Sequence, residues 1–385
     1  MDAVQHYFDG NTKINLKDFF FKVLSGSAQG ILIGVLPSAV LKYILRIFIQ
    51  PGVVNWASDL NAILVLFQSF IPLLIGVAVA LQFKMKPIDV GVVGIAVGAA
   101  SGSIKWAVAP AGWVNPITGV KSAVAGQVYL AAGAGDVINA MIVSALAVLA
   151  TWLIAKYLFG FGAVAIIFSP IVVGGGVGLL GRLIAPYVGD VTTWIGLLVQ
   201  KFTELQPLPM SILIAMAFSV IIITPVSTVG IALAISLSGL GSGAAGVGVI
   251  ATTVILLINS LKVNKKGTSL AIFLGAMKGM MPSVFHKPQM MIAFLISSGI
   301  SAIPVAIFNA QGTPTSAGFG WIGMVTPIQS FVKDPADKAF ITNYINPVTA
   351  LIVFFVVPIA VSFLIDFVMT KFVRLYKPTD FEQEI

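Results

Sequence analysis

Apolar residues run along this chain in long uncharged blocks, not in the short amphipathic stretches of a water-facing domain. Residues 60–82, 157–181, 288–332 and 339–365 contain no formal charge, and neither do the 57 residues from Leu205 to Leu261. A helix needs roughly 20 apolar residues to cross the hydrocarbon core. The blocks predict spans near 23–48, 60–82, 88–109, 134–156 and 161–186. After the break VGDVTTW they predict segments near 208–238, 244–261, 268–281, 288–308 and 344–370. The ten-residue alternating strands of a transmembrane β-barrel are not found. The expected class is an all-α polytopic membrane protein with about ten membrane elements.

Composition agrees. The 385 residues are 58% hydrophobic and 9% charged, against about 25% charged in soluble domains, so the surface must face lipid. The net charge of +8 does not point to nucleic acid. Its basic residues collect at the ends of apolar blocks (Lys84 and Lys86; Lys262, Lys265 and Lys266; Lys371, Arg374 and Lys377) without interleaved aromatics. That placement is the bias of cytoplasmic loops. The chain has no cysteine, which rules out disulfides, thiolate metal sites and a phosphocysteine. Residues 1–22 are polar and show no cleavage site, so no removable signal peptide is expected. They are expected to form a cytoplasmic segment ahead of a membrane domain over 23–370, with 371–385 as a polar tail.

Within that domain, 192–203 (TTWIGLLVQKFT) has the pattern of an interfacial helix joining halves of about 23–190 and 204–370. Five elements in each half suggest an internal, inverted repeat. Simple counting from a cytoplasmic N-terminus places KVNKK (262–266) outside, against the positive-inside tendency. An interruption of 208–238 near Thr224–Pro225 removes the conflict, because the residue before proline disfavours helix. Lys42 and Arg46 argue the other way. Broken or re-entrant helices are tolerated in membranes only where they line protein or a wet cavity.

Several polar residues then need a reason. The glycine clusters at 96–103, 131–136, 172–181 and 238–249 are explained by close helix packing or by unwound, solute-binding backbone. Asp136 is the only charge between Ser122 and Ala155. It either faces a solute cavity with Asn139, with Lys105 as a charge partner, or caps the helix that begins VINAM. TPVST (224–228) offers Thr224, Ser227 and Thr228 beside a proline. FHKPQM (285–290) offers His286 and Gln289 at a second break. His286 is placed at a solute or at the membrane edge, while Lys287, and Lys278 before it, are expected at the cytoplasmic surface. The segment 309–327 is uncharged yet polar, and reads as re-entrant, with Asn309, Gln311, Thr313 and Thr315 suited to hydroxyl groups.

TPVSTVGIALAISLSGLGSGAAGVG, MMPSVFHKPQMMIAFLISSGISAIPVAIFNAQGTPTSAGFG and, upstream, GAGDVINAMI resemble a bacterial family of phosphotransferase-system enzyme IIC-like, perfringolysin-regulator-type membrane proteins. The resemblance covers about residues 20–370. It implies an enzyme IIC-type fold, a substrate site between inverted repeats, a homodimer and elevator-like transport in the bacterial plasma membrane. It also implies separate IIB and IIA proteins as phosphoryl donors. The glutamate-bearing re-entrant motif of glucose-type permeases is not found.

The expected function is thus a permease for a small polar solute, a sugar or related polyol or acid, needing no cofactor or metal. The alternative is a membrane sensor or regulator that binds such a solute without moving it. An intramembrane enzyme is a distant third, since no HExxH or GxSxG motif and no paired catalytic carboxylate accompanies His286.

Overall fold

In the computed structural model, the described residues are 16–46, 48–49, 53–157, 164–314, 316–333 and 340–383. They divide into two compact units. Of the described residues, one unit holds 16–35 and those within 59–186, the other those within 36–58 and from Tyr187 onward. Five helices among the described residues are long and apolar enough to cross a membrane: Val137–Tyr157, Ile167–Phe202, Gly239–Val263, Met290–Phe308 and Pro347–Lys371. A bent pair, Trp56–Ser69 and Ile71–Gln82, turns by 55° at Phe70. Pro72 in the first turn of the second helix cannot donate to the helix before it. The chain is an all-α polytopic membrane protein.

In the first unit, Ile71–Gln82 packs on Pro87–Ala100. A Cβ on Gly76 would lie 2.8 Å from the Val93 carbonyl oxygen, so the two backbones approach as only glycine allows. Val79, Val93, Val97, Val143 and Ala147 fill the core between these helices and Val137–Tyr157. The span expected over 88–109 ends early, at Ala100. Ser101, Gly102 and Ser103 break it, Gly102 with φ +73°. Residues 104–109 and 126–131 then pair as an antiparallel hairpin, Ile104 opposite Ala131. The sequence IKWAVA suits this extended form, being rich in β-branched and aromatic residues. Arg182 lies over the Trp106 ring, 3.8 Å from its centroid.

The expected interfacial helix at 192–203 is not a separate element. Gly178–Phe202 is one helix that carries Pro186 inside it. Helical φ/ψ is compatible with proline provided the lost donor is tolerated, so VGDVTTW does not end the helix.

Helix Gly239–Val263 is the buried centre of the second unit. A Cβ on Gly248 would fall 2.1 Å from the Ala215 oxygen, and one on Gly243 2.0 Å from the Ala310 oxygen. The 238–249 glycines therefore serve close packing. Hydroxyls stitch the surrounding helices together: Ser297 to Ser362 at 2.7 Å, Ser362 to the Ala251 carbonyl at 3.2 Å, and Thr252 to the Ser219 carbonyl at 3.0 Å. Such bonds suit a lipid setting, where helices gain nothing from leaving water. The tail is not loose either. Tyr376 and Phe381 are fully buried in this unit.

Candidate solute-binding site

The interruption expected at Thr224–Pro225 is present. Helix Pro207–Ile221 ends there, and a new helix, Thr228–Ala234, begins after it. Pro225 brings no N–H and restricts Thr224 before it. Backbone carbonyls are thereby freed inside the unit. The ammonium of Lys278 donates to two of them, Thr224 at 2.5 Å and Val226 at 2.8 Å. The Thr224 hydroxyl donates to the Ile221 carbonyl at 2.8 Å. Ser227 is exposed and its Oγ accepts from Gly230 N at 2.9 Å. The Thr228 hydroxyl is buried and donates to the Gly318 carbonyl at 2.9 Å. A side chain on Gly318 would meet Val229 N at 2.6 Å, so the 316–320 turn rests directly on the TPVST break.

The polar segment from Asn309 is the second interruption. Asn309 ends helix Ile303–Phe308 in the left-handed conformation, φ 49°, which asparagine tolerates better than most residues. Residues 310–314 and 316–318 are buried within the second unit, not a surface loop. Gly239 and Gly312 exchange backbone hydrogen bonds of 2.9 and 3.0 Å, which ties the segment to the start of the central helix.

Several side chains expected to face a solute are instead used inside this fold. Gln311 Oε1 accepts from Thr342 N at 2.8 Å, the Thr342 hydroxyl at 3.1 Å and Asn343 N at 3.2 Å. Its Nε2 donates to Asn309 Oδ1 at 3.0 Å. The Thr313 hydroxyl donates to Gln329 Oε1 at 2.7 Å. Thr315 lies outside the described residues. Exposed polar groups beside the two interruptions are Ser227 and Asn309, with Thr224 half-buried.

FHKPQM breaks the helix as expected: Met281–His286 stops and Lys287 has φ −132°, ψ 75°. His286 and Gln289 are both exposed. Lys287 does not project freely. Its ammonium pairs with Asp380 Oδ2 at 2.5 Å, and Asn264 Nδ2 donates to the Phe381 carbonyl at 2.8 Å. The C-terminal strap thus clasps the FHKPQM break to the end of the central helix.

In the first unit, Asp136 is a helix cap. Its Oδ1 accepts from Asn139 N at 2.9 Å, satisfying one of the free donors of Val137–Tyr157. Asn139 is fully buried. Its Nδ2 donates to the carbonyls of Ala100 at 3.0 Å and Gly181 at 3.3 Å, joining three helices. These packing tasks depart from the expectation that both side chains line a solute cavity. Lys105 sits in the hairpin opposite Leu130 and forms no ion pair with Asp136 among the described residues.

Two features escaped the sequence reading. Lys278 was expected at the membrane surface, yet it turns inward onto the freed carbonyls. Its signal was present, since residues 267–285 hold no other charge, the same isolation that marks Asp136. The second is Asp366, buried in helix Val357–Lys371. Its carboxylate accepts from Asn259 Nδ2 at 2.6 Å, Tyr376 OH at 2.9 Å and Lys262 Nζ at 3.3 Å. Its position at the very end of the charge-free run 339–365 disguised it as an interfacial charge.

A long, buried, Gly-rich helix is thus flanked by two polar interruptions. The family model described as Phosphotransferase system, EIIC matches residues 21–383. The chain belongs to the phosphotransferase system EIIC family. A search of curated proteins found no match. Among solved structures, the chain is similar to the transporter ChbC, the IIC component from the N,N'-diacetylchitobiose-specific phosphotransferase system. That likeness covers 92% of this chain and 94% of the other, at 11% identity and a TM-score of 0.40, too distant to transfer a substrate or a mechanism. As an EIIC member the chain is a transporter-type, multi-pass membrane protein.

Proposed function

We propose that this chain is a permease for a sugar-like polar solute, bound at the two interruptions of the second unit and carried by alternating access. The observation that supports it most is the Thr228–Gly318 hydrogen bond of 2.9 Å, which joins the TPVST break to the 316–320 turn. Two unwound stretches meeting inside an apolar helical unit fit a membrane protein only where they line protein or a wet cavity, and transporters place their solutes at such breaks. Thr224, Ser227 and Asn309 are short polar groups of the kind that orient a polyhydroxylated ligand in an otherwise apolar frame. His286 and Gln289 supplement this set if the FHKPQM end closes on the solute. EIIC membership supports separate IIB and IIA proteins as the phosphoryl source, and we take the working form to be a homodimer with elevator-like movement.

The natural absence of cysteine makes a direct test available. Ser227→Cys and, as a control in the exposed hairpin loop, Thr118→Cys would each be labelled with a membrane-impermeant maleimide. A panel of hexoses and disaccharides should include members that slow labelling at position 227 but not at 118. Unchanged rates at 227 across the panel would count against a site at the TPVST break.

A further inference from the structure

Lys278 places its amino group inside the second unit with no carboxylate within ion-pairing distance among the described residues. It belongs to the turn Ala276–Met280, which follows Gly275 at φ 136°. That left-handed step turns the chain so that the ammonium reaches the TPVST break. An ammonium has three donors. Two go to the carbonyls of Thr224 and Val226, at 2.5 and 2.8 Å, and one remains. These carbonyls share the charge through their dipoles but do not neutralise it. An ionisable residue inside a membrane domain is expensive, pairs with another charge or with backbone carbonyls, and often marks a substrate path. Among the described residues no such opposite charge lies at Lys278, whereas Lys262 and Lys287 in the same unit pair with Asp366 and Asp380.

We propose that the solute carries one negative charge, a carboxylate on a sugar or polyol, which the remaining N–H of Lys278 binds beside Thr224 and Ser227. This rests on the permease reading above and names the substrate class of that same site. In its ammonium form Lys278 has one unused donor and one uncompensated charge, which match a monoanion, and an arriving anion favours that form. The neighbouring Ser227 hydroxyl and Thr224 suit the hydroxyl-bearing remainder of such a molecule. The arrangement divides the labour: the freed carbonyls fix the ammonium in place, so its charge is already oriented before the solute arrives.

The test compares ligands that differ only in charge, using the purified full-length protein in lipid nanodiscs. Gluconate is paired with glucitol and glucuronate with glucose, and binding is read by calorimetry. The wild type should bind at least one acid about tenfold or more tighter than its neutral partner, the scale of a charge-assisted hydrogen bond. Lys278→Gln retains amide donors for the two carbonyls but lacks the charge, and its preference should fall to about one. A wild type that binds the neutral members equally well or better would overturn the inference while leaving the permease reading intact. So would a preference that survives in the Gln variant. If that variant does not fold, the wild-type comparison alone still decides. Binding of neither member of either pair would overturn the inference, and if the hexose and disaccharide panel also fails to protect position 227, the permease reading falls with it.

Discussion

Lys287 Nζ lies 2.5 Å from Asp380 Oδ2, so the residue before Pro288 and a residue five from the C-terminus are clasped together. Asp380 also accepts from Lys377 N at 2.7 Å. Burial acts to raise the pKa of the Asp380 carboxyl, but the hydrogen bonds from Lys287 and Lys377, with their charges, outweigh it and hold the carboxyl below its ordinary range.

The sign of the pH dependence follows. A carboxyl whose folded pKa is depressed stabilises the fold above its unfolded value, about 3.9, and loses that contribution as pH falls through the folded value. The strap 376–383 should therefore stay docked at neutral pH and loosen below about pH 4. Protection of the strap amides against hydrogen exchange, corrected for the intrinsic pH dependence of exchange, should fall across that window in the wild type. In Asp380→Asn the strap should already be loosened at neutral pH, at a cost on the order of 1 kcal/mol or less for a partly exposed pair. A strap equally protected in both proteins at neutral pH would contradict the clasp.

Asp366 is a second anchor. Burial, then the Asp366 charge and hydrogen bond, push the pKa of the Tyr376 hydroxyl upward, so Tyr376 acts as a neutral donor at any physiological pH. Tyr376→Phe removes one of three donors to a buried carboxylate and should cost about 1.5–3 kcal/mol. Asp366→Ala should cost more, about 3 kcal/mol or above, because it removes the acceptor of two buried donors, Tyr376 OH and an Asn259 N–H, while the half-exposed Lys262 adds little. Thermal melting of the purified variants gives both values, and the reverse order would contradict the assignment.

Trp321 offers a cleaner cycle. Its Nε1 donates to the Phe354 carbonyl at 2.9 Å. In an unbroken α-helix that carbonyl would accept from residue 358, but Pro358 has no N–H, and the helix widens over Ile352–Val356. Trp321→Phe should cost about 1–3 kcal/mol by leaving the carbonyl unpaired. Adding Pro358→Ala returns an N–H to the helix and should recover part of the loss. Strictly additive effects in the double-mutant cycle would show that the indole and the proline act independently.

Asp136 gives a prediction on the first unit. Asparagine caps a helix as well as aspartate does, whereas alanine loses about 1 kcal/mol. Asp136→Asn should therefore keep both its melting temperature and its solute uptake, and Asp136→Ala should melt lower. Lost uptake in a fully stable Asn variant would put Asp136 back at the solute.

Much of this was legible in the sequence because hydropathy and proline act locally. The helical blocks, the Thr224–Pro225 break and the break at Lys287–Pro288 follow from residue type within a few positions. What was hidden depends on partners far along the chain. Gln311 looked available to a solute until residues 342–343 supplied it with three donors. Lys278 looked peripheral until residues 224–226 supplied its acceptors. The hairpin at 104–131 was masked because Ile104–Ala109 is apolar enough to extend the hydropathy peak of the preceding helix. The strap was missed because a polar tail carries no signal for the two aromatic residues, Tyr376 and Phe381, that bury it.

The most direct measurement is solute counterflow in proteoliposomes. Vesicles containing the purified chain would be loaded with an unlabelled solute that the binding measurements identify, then diluted into a trace of the same solute in labelled form. Transient, saturable accumulation of label is expected, reduced by substitutions at Thr224 and Ser227. Tight binding with no counterflow above protein-free vesicles would contradict a permease and make the chain a solute sensor.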